Sequence, residues 1–162
     1  MLRVETPLDL PRHAGRNLGE SAWRVLDQAT IDTFAAISGD AHWLHTDPQR
    51  AARESPFGGT IAHGFLTLSL LTAMMSELID IGGVSHFVNY GLDRVRFTGA
   101  VRAGDRVRLQ QTIAAVDRVT GGVRVTMKSI MEIEGSERPA LVADFIFIAF
   151  TQPGAGIGAS GA

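Results

Sequence analysis

The chain has 162 residues, with 15 lysines and arginines against 17 aspartates and glutamates, and it contains no cysteine. A chain of this length is most simply one domain with one core. Its interspersed charges form neither the basic patch of a nucleic-acid-binding protein nor a basic membrane-surface helix. The lack of cysteine excludes disulfides, thiolate nucleophiles and cysteine-ligated metals. Since residues 1–11 also lack the apolar centre of a signal peptide, we expect a cytoplasmic protein with no nucleic-acid or membrane partner.

The two ends of the chain differ in composition from its middle. Residues 1–20 contain two prolines and two glycines and show little hydrophobic periodicity, which predicts an extended N-terminal arm on the surface rather than a regular element. Residues 153–162 are mostly glycine and alanine, a composition typical of a flexible tail. The predicted domain therefore covers residues 21–152.

Two short helices are predicted in the first third of the chain. Apolar residues at helical spacing follow a capping residue, Asp27 or Thr30, and end at Gly39. Asp47-Pro48 is a second helix-start signal, because a capping oxygen precedes a proline at the first helical position. The segment between the two helices, which begins at Asp40, is therefore a loop.

The uncharged apolar run from Phe65 to Met75 predicts the central helix of the domain. Its apolar residues fall on every side of a helical wheel, so we expect a helix that is buried on all sides. Thr60 is the best N-cap and Gly82-Gly83 the best stop, which gives a helix of about 20 residues at most. Its interior hydroxyl residues and acidic end exclude a membrane span. Other elements must therefore wrap around it.

Four segments after this helix have the composition of β-strands. They are rich in Val, Ile, Phe and Thr and are separated by turn residues, and two of them alternate apolar and polar side chains, as strands with one face on a core do. The predicted strands are residues 86–97, 106–116, 123–133 and 141–150. Together with an early strand at residues 23–26, they predict an α+β fold.

Two stretches concentrate side chains and backbone groups that can do chemistry. The loop at residues 38–48 carries Asp40, His42 and His45, and acid/base work at neutral pH needs such a carboxylate and imidazole pair. The helix start at residues 61–64 offers unpaired N–H groups at the positive end of a helix dipole, which suits a developing oxyanion. Because Gly64 lacks a side chain, a ligand carbonyl can approach its amide closely.

These stretches resemble the MaoC-like (R)-specific enoyl-CoA hydratase family, and within it the NodN-like branch, over residues 20–150. The matching motifs are Gly39-Asp40-x-x-x-x-His45 with Asp47-Pro48, residues 56–64, residues 89–97 and Gly104-Asp105. The resemblance implies a hot-dog fold, in which an antiparallel sheet wraps around a long central helix, usually dimerised edge to edge. It also implies a hydro-lyase that reversibly adds water to a trans-2-enoyl thioester and forms the (R)-3-hydroxyacyl product.

The resemblance assigns catalytic roles by position. Asp40 and His45 would bind and activate one water, and the Gly64 amide would polarise the thioester carbonyl. Thr72 is the candidate for a hydroxyl residue that the family often has in the core helix near the catalytic aspartate. His42 stands where the family usually has Asn or Gln, and it adds a titratable group. The implied partners are an acyl-CoA or acyl-carrier-protein thioester and a second copy of the chain, with no cofactor.

The remaining candidates have a simpler structural interpretation beside the functional one. The predicted substrate-binding residues are His42, His63, Thr72, Arg94 and Arg96. Without the surrounding motif, His63 in the first turn of a buried helix would be interpreted as a packed structural group. Arginines on strands, such as Arg94 and Arg96, commonly face solvent, and the functional alternative is that they bind the phosphates of a coenzyme A tail. His42 and His45, with Asp40 or Asp47, have the composition of a metal site. A His-x-x-His pair on a loop lacks the fixed geometry of a helical pair, so we predict no metal.

Two alternative functions stay open. An acyl-CoA thioesterase of the same fold would also use a carboxylate and a helix-start amide, and it would release free thiol. A non-catalytic acyl-thioester binding subunit would bind the ligand without turnover, and His42 is the feature that favours this reading.

Overall fold

The computed structural model describes residues 1–152, and the predicted tail at residues 153–162 lies outside the described residues. Four helices and eight strands make up this part of the chain, together with one 3-10 helix at Pro7–His13. The helices are α1 (Gln28–Ser38), α2 (Trp43–Thr46), α3 (Pro48–Glu54) and α4 (Gly64–Met75). The strands are β1 (Leu2–Val4), β2 (Asn17–Glu20), β3 (Arg24–Val25), β4 (Ile79–Ile81), β5 (Val84–Phe97), β6 (Arg106–Val119), β7 (Gly122–Ile133) and β8 (Leu141–Thr151).

The main sheet has the order β2-β6-β7-β8-β5, with β3 also paired to β6, and all of its pairings are antiparallel. Its four long strands are the four segments predicted from the sequence. Buried and partly exposed residues alternate along β7, so one face of the sheet packs inward. There it meets Leu66, Leu71 and Met74 of α4. An antiparallel sheet packed on one central helix is the hot-dog arrangement, which confirms the predicted α+β class.

The central helix is shorter than predicted and begins later. It runs from Gly64 to Met75, with His63 as its N-cap. The predicted cap at Thr60 is wrong because the preceding segment pairs as an extended strand: Ala62 N–H donates to the Val101 carbonyl at 2.7 Å. The predicted stop at Gly82-Gly83 is also wrong, because the residues of β4 leave the helix and pair in parallel with β1.

The expectation that α4 is buried on all sides is also wrong for a single chain. Leu66, Leu71 and Met74 are buried, but Phe65 is 68% exposed and Thr72 lies on the same open stripe of the helix. The neighbouring edge strand β5 is exposed along most of its length. The single chain therefore leaves an apolar face of its central helix and its sheet edge uncovered.

The first 20 residues are regular and partly buried, so the prediction of an irregular surface arm is wrong. β1 pairs with β4 in a small parallel sheet, and the 3-10 helix is capped by Thr6, whose hydroxyl accepts from the Leu8 amide. Leu10 is fully buried in the main core. The apolar side chains of this segment dock on the domain, so tertiary contacts supply the order that local periodicity does not show. The proposed domain limits stay a prediction.

The segments between β3 and α4 carry the loop of interest. α1 begins after the capping Asp27 and ends at Gly39, whose φ of 78° is the left-handed helix stop that glycine adopts without strain. Asp47 caps α3 as predicted, since its carboxylate accepts from the Arg50 amide at 2.9 Å. The intervening loop contains one turn of helix, α2, that the sequence did not predict. No helix in residues 1–152 is long and apolar enough to cross a membrane.

Candidate active site

Asp40, His45 and His63 form one cluster, in which one ligating atom of each residue lies within 4.8 Å of the others. They come from three places: the loop after α1, the single turn α2, and the residue that caps α4. Asp40 is exposed, His45 is half-buried and His63 is 4% exposed. The fold thus brings the predicted Asp40 and His45 together beside the start of the central helix.

A backbone contact sets the tautomer of His45. Its Nδ1 lies 2.7 Å from the carbonyl oxygen of Ile61, and because a carbonyl only accepts, Nδ1 must carry a proton and donate it. In the neutral ring, Nε2 then keeps a free lone pair. This is the state that a general base requires before it takes a proton from water.

His63 makes its contacts to the chain itself. Its ring stacks on that of His45 with centroids 3.8 Å apart, and it lies 5.1 Å from the ring of Phe34. Its Nε2 donates to the backbone carbonyl of Asp40 at 2.8 Å. Its Nδ1 is buried without a hydrogen-bond partner in the part of the chain that the structure describes. The predicted role of His63 in substrate binding stays a prediction.

The Gly64 amide is the first N–H of α4, and no acceptor lies within hydrogen-bond distance of it among residues 1–152. Such an N–H at a helix start has no intrahelical partner and lies at the positive end of the dipole. A Cβ atom at this position would lie 2.9 Å from Cγ and Cδ1 of Phe97. A side chain at position 64 would therefore force this ring to move, whereas glycine leaves the amide open for a ligand.

The arrangement of the histidines does not favour a metal ion. The rings of His45 and His63 are stacked, with planes 26° apart, and one nitrogen of each ring is already hydrogen-bonded to a backbone carbonyl. His42 is engaged as well, because its Nδ1 accepts from the Leu44 amide at 3.3 Å and caps α2. One ligating atom each of Asp40, His45 and His63 lies within 4.8 Å of the others, so the expected absence of a metal stays a prediction.

Thr72 lies in an apolar groove along the open stripe of α4. The groove has a volume of about 530 Å³, and its lining includes Phe34, Phe65, Thr72 and Tyr90. Thr72 also borders an adjoining hollow of about 310 Å³ near the end of the helix. The structure therefore places Thr72 on the groove wall, two helical turns from Gly64, and its contact with substrate stays a prediction.

The two arginines do not join the cluster. Arg94 pairs with the carboxylate of Asp144 on β8, and the hollow beside it is lined by residues of β7 and β8 rather than by the cluster. Arg96 donates to the Val95 carbonyl at 2.8 Å. Their predicted contact with coenzyme A phosphates has no support from these positions and stays a prediction.

Sequence reasoning missed two residues that shape the site. The Gln28 side-chain amide donates to the His45 carbonyl at 2.7 Å, and its oxygen accepts from the Thr60 hydroxyl. Phe97 forms the wall that excludes a side chain at position 64. A polar residue in the first turn of an amphipathic helix carries no signal of such a role, whereas Phe97 lay within a matched motif without an assigned function.

Fold and cluster together define a hot-dog protein with a carboxylate and imidazole pair beside an open helix-start amide. Residues 9–133 match the MaoC like domain family, so the chain belongs to the MaoC-like dehydratase family, as its motifs predicted.

Two curated relatives cover most of the chain. It is 42% identical over 147 residues to 3-hydroxyacyl-thioester dehydratase Z of Mycobacterium tuberculosis, which covers 90% of this chain and 97% of that protein. It is 48% identical over 142 residues to Nodulation protein N of Rhizobium leguminosarum, with 86% and 88% covered. The second relative agrees with the predicted NodN-like branch.

Solved structures share the fold. A monoamine oxidase regulatory protein from Archaeoglobus fulgidus superposes with a TM-score of 0.71 at 28% identity, over 86% of this chain and 92% of that one. An (R)-hydratase from A. caviae superposes with a TM-score of 0.68 at 23% identity, over 83% and 94%. At that identity the second likeness supports the fold alone.

Proposed function

We propose that this protein is an (R)-specific enoyl-thioester hydratase, a hydro-lyase that in reverse dehydrates 3-hydroxyacyl thioesters. The observation that carries the proposal is the grouping of Asp40 and the free Nε2 of His45 beside the start of α4, where the Gly64 amide is open. The relative named 3-hydroxyacyl-thioester dehydratase Z supports this class of reaction.

The reaction needs a base that takes a proton from water, an acid that gives a proton to C2, and a hydrogen-bond donor that stabilises the negative charge developing on the thioester oxygen. His45 and Asp40 hold one water, and a proton passes from it to the pair as its oxygen bonds to C3 of the enoyl group. The electron pair moves to the thioester oxygen, which the Gly64 amide stabilises. Asp40 and His45 then return a proton to C2. The product therefore contains one added water, and the two side chains regain their starting protonation.

The thioester itself makes this chemistry possible without a cofactor. Its carbonyl acidifies C2, because charge at C2 is shared with the oxygen that the helix-start amide binds. The apolar groove along α4 fits the acyl chain, since its walls are mainly aromatic and aliphatic. Coenzyme A and acyl carrier protein are both suitable carriers, and the cytoplasmic location stays a prediction.

We also propose a homodimer, formed through the edge strand β5. Edge strands present unpaired backbone groups to any strand that can reach them. Phe87, Tyr90 and Leu92 on this strand are large apolar residues that one protomer leaves 51%, 60% and 41% exposed. A second copy that pairs at this edge would cover them and also close the open side of the groove.

The test is incubation of the purified protein with crotonyl-CoA. Loss of enoyl absorbance, release of free thiol and the configuration of the product are followed together. Formation of (R)-3-hydroxybutyryl-CoA without thiol supports the hydratase. Thiol release would instead identify a thioesterase, and binding without any turnover, repeated with longer enoyl chains, would identify a non-catalytic binding subunit.

A further inference from the structure

The loop that carries Asp40 and His45 is attached at its His45 end by Gln28. The Nε2 of Gln28 donates to the His45 carbonyl at 2.7 Å, and its Oε1 accepts from the Thr60 hydroxyl. Gln28 thus connects three segments that are distant in sequence: the start of α1, the turn α2 and the strand-like residues before α4. Thr60 is buried, so this connection is anchored in the core.

The other end of the loop is attached by His63. Its Nε2 donates to the Asp40 carbonyl at 2.8 Å, and its ring stacks on His45. The ring is held in turn by burial and by the neighbouring Phe34. One side chain therefore sets both the backbone position of Asp40 and the plane of the His45 imidazole.

The loop's own structure is one short turn with a few local hydrogen bonds, such as those from the Thr46 hydroxyl to the Ala41 and His42 carbonyls. α2 is a single turn of four residues, too short to be stable in isolation. The Asp40 carboxylate is exposed and accepts no hydrogen bond from residues 1–152. A displacement of about 1 Å in a reacting group can cost about 100-fold in rate, so the attachments decide whether the pair is productive.

We propose that Gln28 and His63 are positioning residues that clamp the two ends of this loop and hold Asp40 and His45 in catalytic geometry. The inference rests on the proposed hydratase function for its kinetic consequence. Its structural part, that the two side chains hold the loop, is independent of any activity.

Two variants remove one clamp each with little change in volume. Gln28→Met loses the hydrogen bonds to His45 and Thr60, together with an exposed one to Asp32 on the same helix. His63→Phe keeps an aromatic ring against His45 but loses the donor to Asp40. We expect each to lower kcat about 100-fold while KM changes by less than about twofold. His63→Gln, which restores a donor, is expected to recover part of kcat, a rescue that a merely space-filling role would not give.

Matched substitutions outside the loop serve as controls. Gln110→Met changes a half-buried glutamine of β6, and His13→Phe changes a histidine of the 3-10 helix that belongs to neither the loop nor β5. Both are expected to leave kcat within about twofold of the original protein. Thermal melts of all variants show whether a loss of activity reflects unfolding.

Backbone hydrogen exchange provides a readout that needs no substrate. The Ile61 amide donates to the Leu44 carbonyl at 3.1 Å and the His45 amide to His42 at 2.9 Å, and both are expected to exchange about tenfold or more faster in Gln28→Met and His63→Phe. Unchanged exchange in both variants would overturn the inference, with or without a loss of kcat. Faster exchange in a protein that never turns over enoyl thioesters would support the clamps and overturn the proposed function alone.

Discussion

At His45, a single hydrogen bond decides which ring nitrogen can accept a proton. The Ile61 carbonyl fixes the proton on Nδ1, so Nε2 is available as a base in the neutral ring. The Asp40 carboxylate, in contrast, is exposed and accepts no hydrogen bond within residues 1–152, and the hydrogen bond from His63 goes to the backbone carbonyl of Asp40. The proposed role of the Asp40 side chain is therefore catalytic, with very little contribution to folding.

Asp40→Asn is therefore expected to lower kcat by about 10² to 10⁴-fold, the usual contribution of general acid/base groups. The melting temperature should change little, because the carboxylate accepts no hydrogen bond within residues 1–152 that the change would remove. Steady-state kinetics with crotonyl-CoA and a thermal melt measure the two effects. Asp117→Asn, which breaks only a surface ion pair with Arg124, is the control, and turnover of Asp40→Asn close to that of the control would remove Asp40 from the mechanism.

Gly64→Ala should damage both activity and stability. The added methyl group would lie 2.9 Å from the Phe97 ring, which costs about 1 to 3 kcal/mol of unfolding free energy by overpacking. It would also obstruct the open amide, and loss of one oxyanion donor typically lowers kcat about 10² to 10³-fold.

Urea unfolding and kinetics test this prediction, with Gly59→Ala as the control because a Cβ there meets no atom within 4 Å. Adding Phe97→Leu to Gly64→Ala should restore stability by making room for the methyl group. A Gly64→Ala protein as stable and as active as Gly59→Ala would contradict the close approach of position 64 to the Phe97 ring.

Among the elements, α1 supports the site because it carries Gln28 in its first turn. Its N-cap is Asp27, whose carboxylate accepts from both the amide and the hydroxyl of Thr30. The side-chain hydrogen bond from Thr30 is the larger cause that lowers the pKa of Asp27, and the backbone bond adds to it. A carboxyl whose pKa is lowered on folding stabilises the folded state wherever it is ionised.

This cap predicts a pH-dependent effect on stability. Because the pKa of Asp27 is lower in the folded state, its contribution is present above the unfolded value of about 4 and is lost as pH falls through the folded value. Asp27→Ala should therefore lower the melting temperature at pH 7, and the difference from the original protein should shrink below about pH 4. An equal difference at both pH values would show that the ionised carboxylate is not the cause.

At the scale of the whole molecule, one protomer leaves its central helix and its sheet edge uncovered. The open stripe of α4 and the edge strand β5 border the same apolar groove. Such a continuous apolar surface beside an unpaired edge is unusual in a monomer. The proposed dimer would cover both features in one step.

Val88→Lys should convert the proposed dimer into monomers. Val88 lies on β5 and is 43% exposed in one protomer, and a lysine on an edge strand opposes pairing with another chain. Analytical ultracentrifugation measures the mass of the variant in solution. We also expect the variant to lose hydratase activity, because the open side of the groove is no longer covered. Val25→Lys, at a residue 51% exposed on β3, is the control; a monomeric original protein would overturn the dimer.

The sequence by itself determined the elements whose signals are local. α1 and α3 have capping residues at their starts. The four long strands are rich in Val, Ile, Phe and Thr between turn residues, and two of them alternate apolar and polar side chains. These helices and strands were therefore predicted close to their observed limits. The motifs around Asp40, His45 and Gly64 were also recognisable, because they resemble those of the MaoC-like family, whose domain residues 9–133 match.

Only the tertiary structure decided where the central helix begins and how the loop is held. Residues 60–62 have the pattern of a helix start, but they pair with residues 101–103, about 40 positions further along the chain. β4 likewise forms only by pairing with β1, far away in the sequence. Gln28 and His63 donate hydrogen bonds to loop carbonyls that lie 17 and 23 positions away. Hydrogen bonds between such distant segments leave no periodicity in the sequence, because each end alone is compatible with several structures, and the choice is made only when both ends meet in the fold.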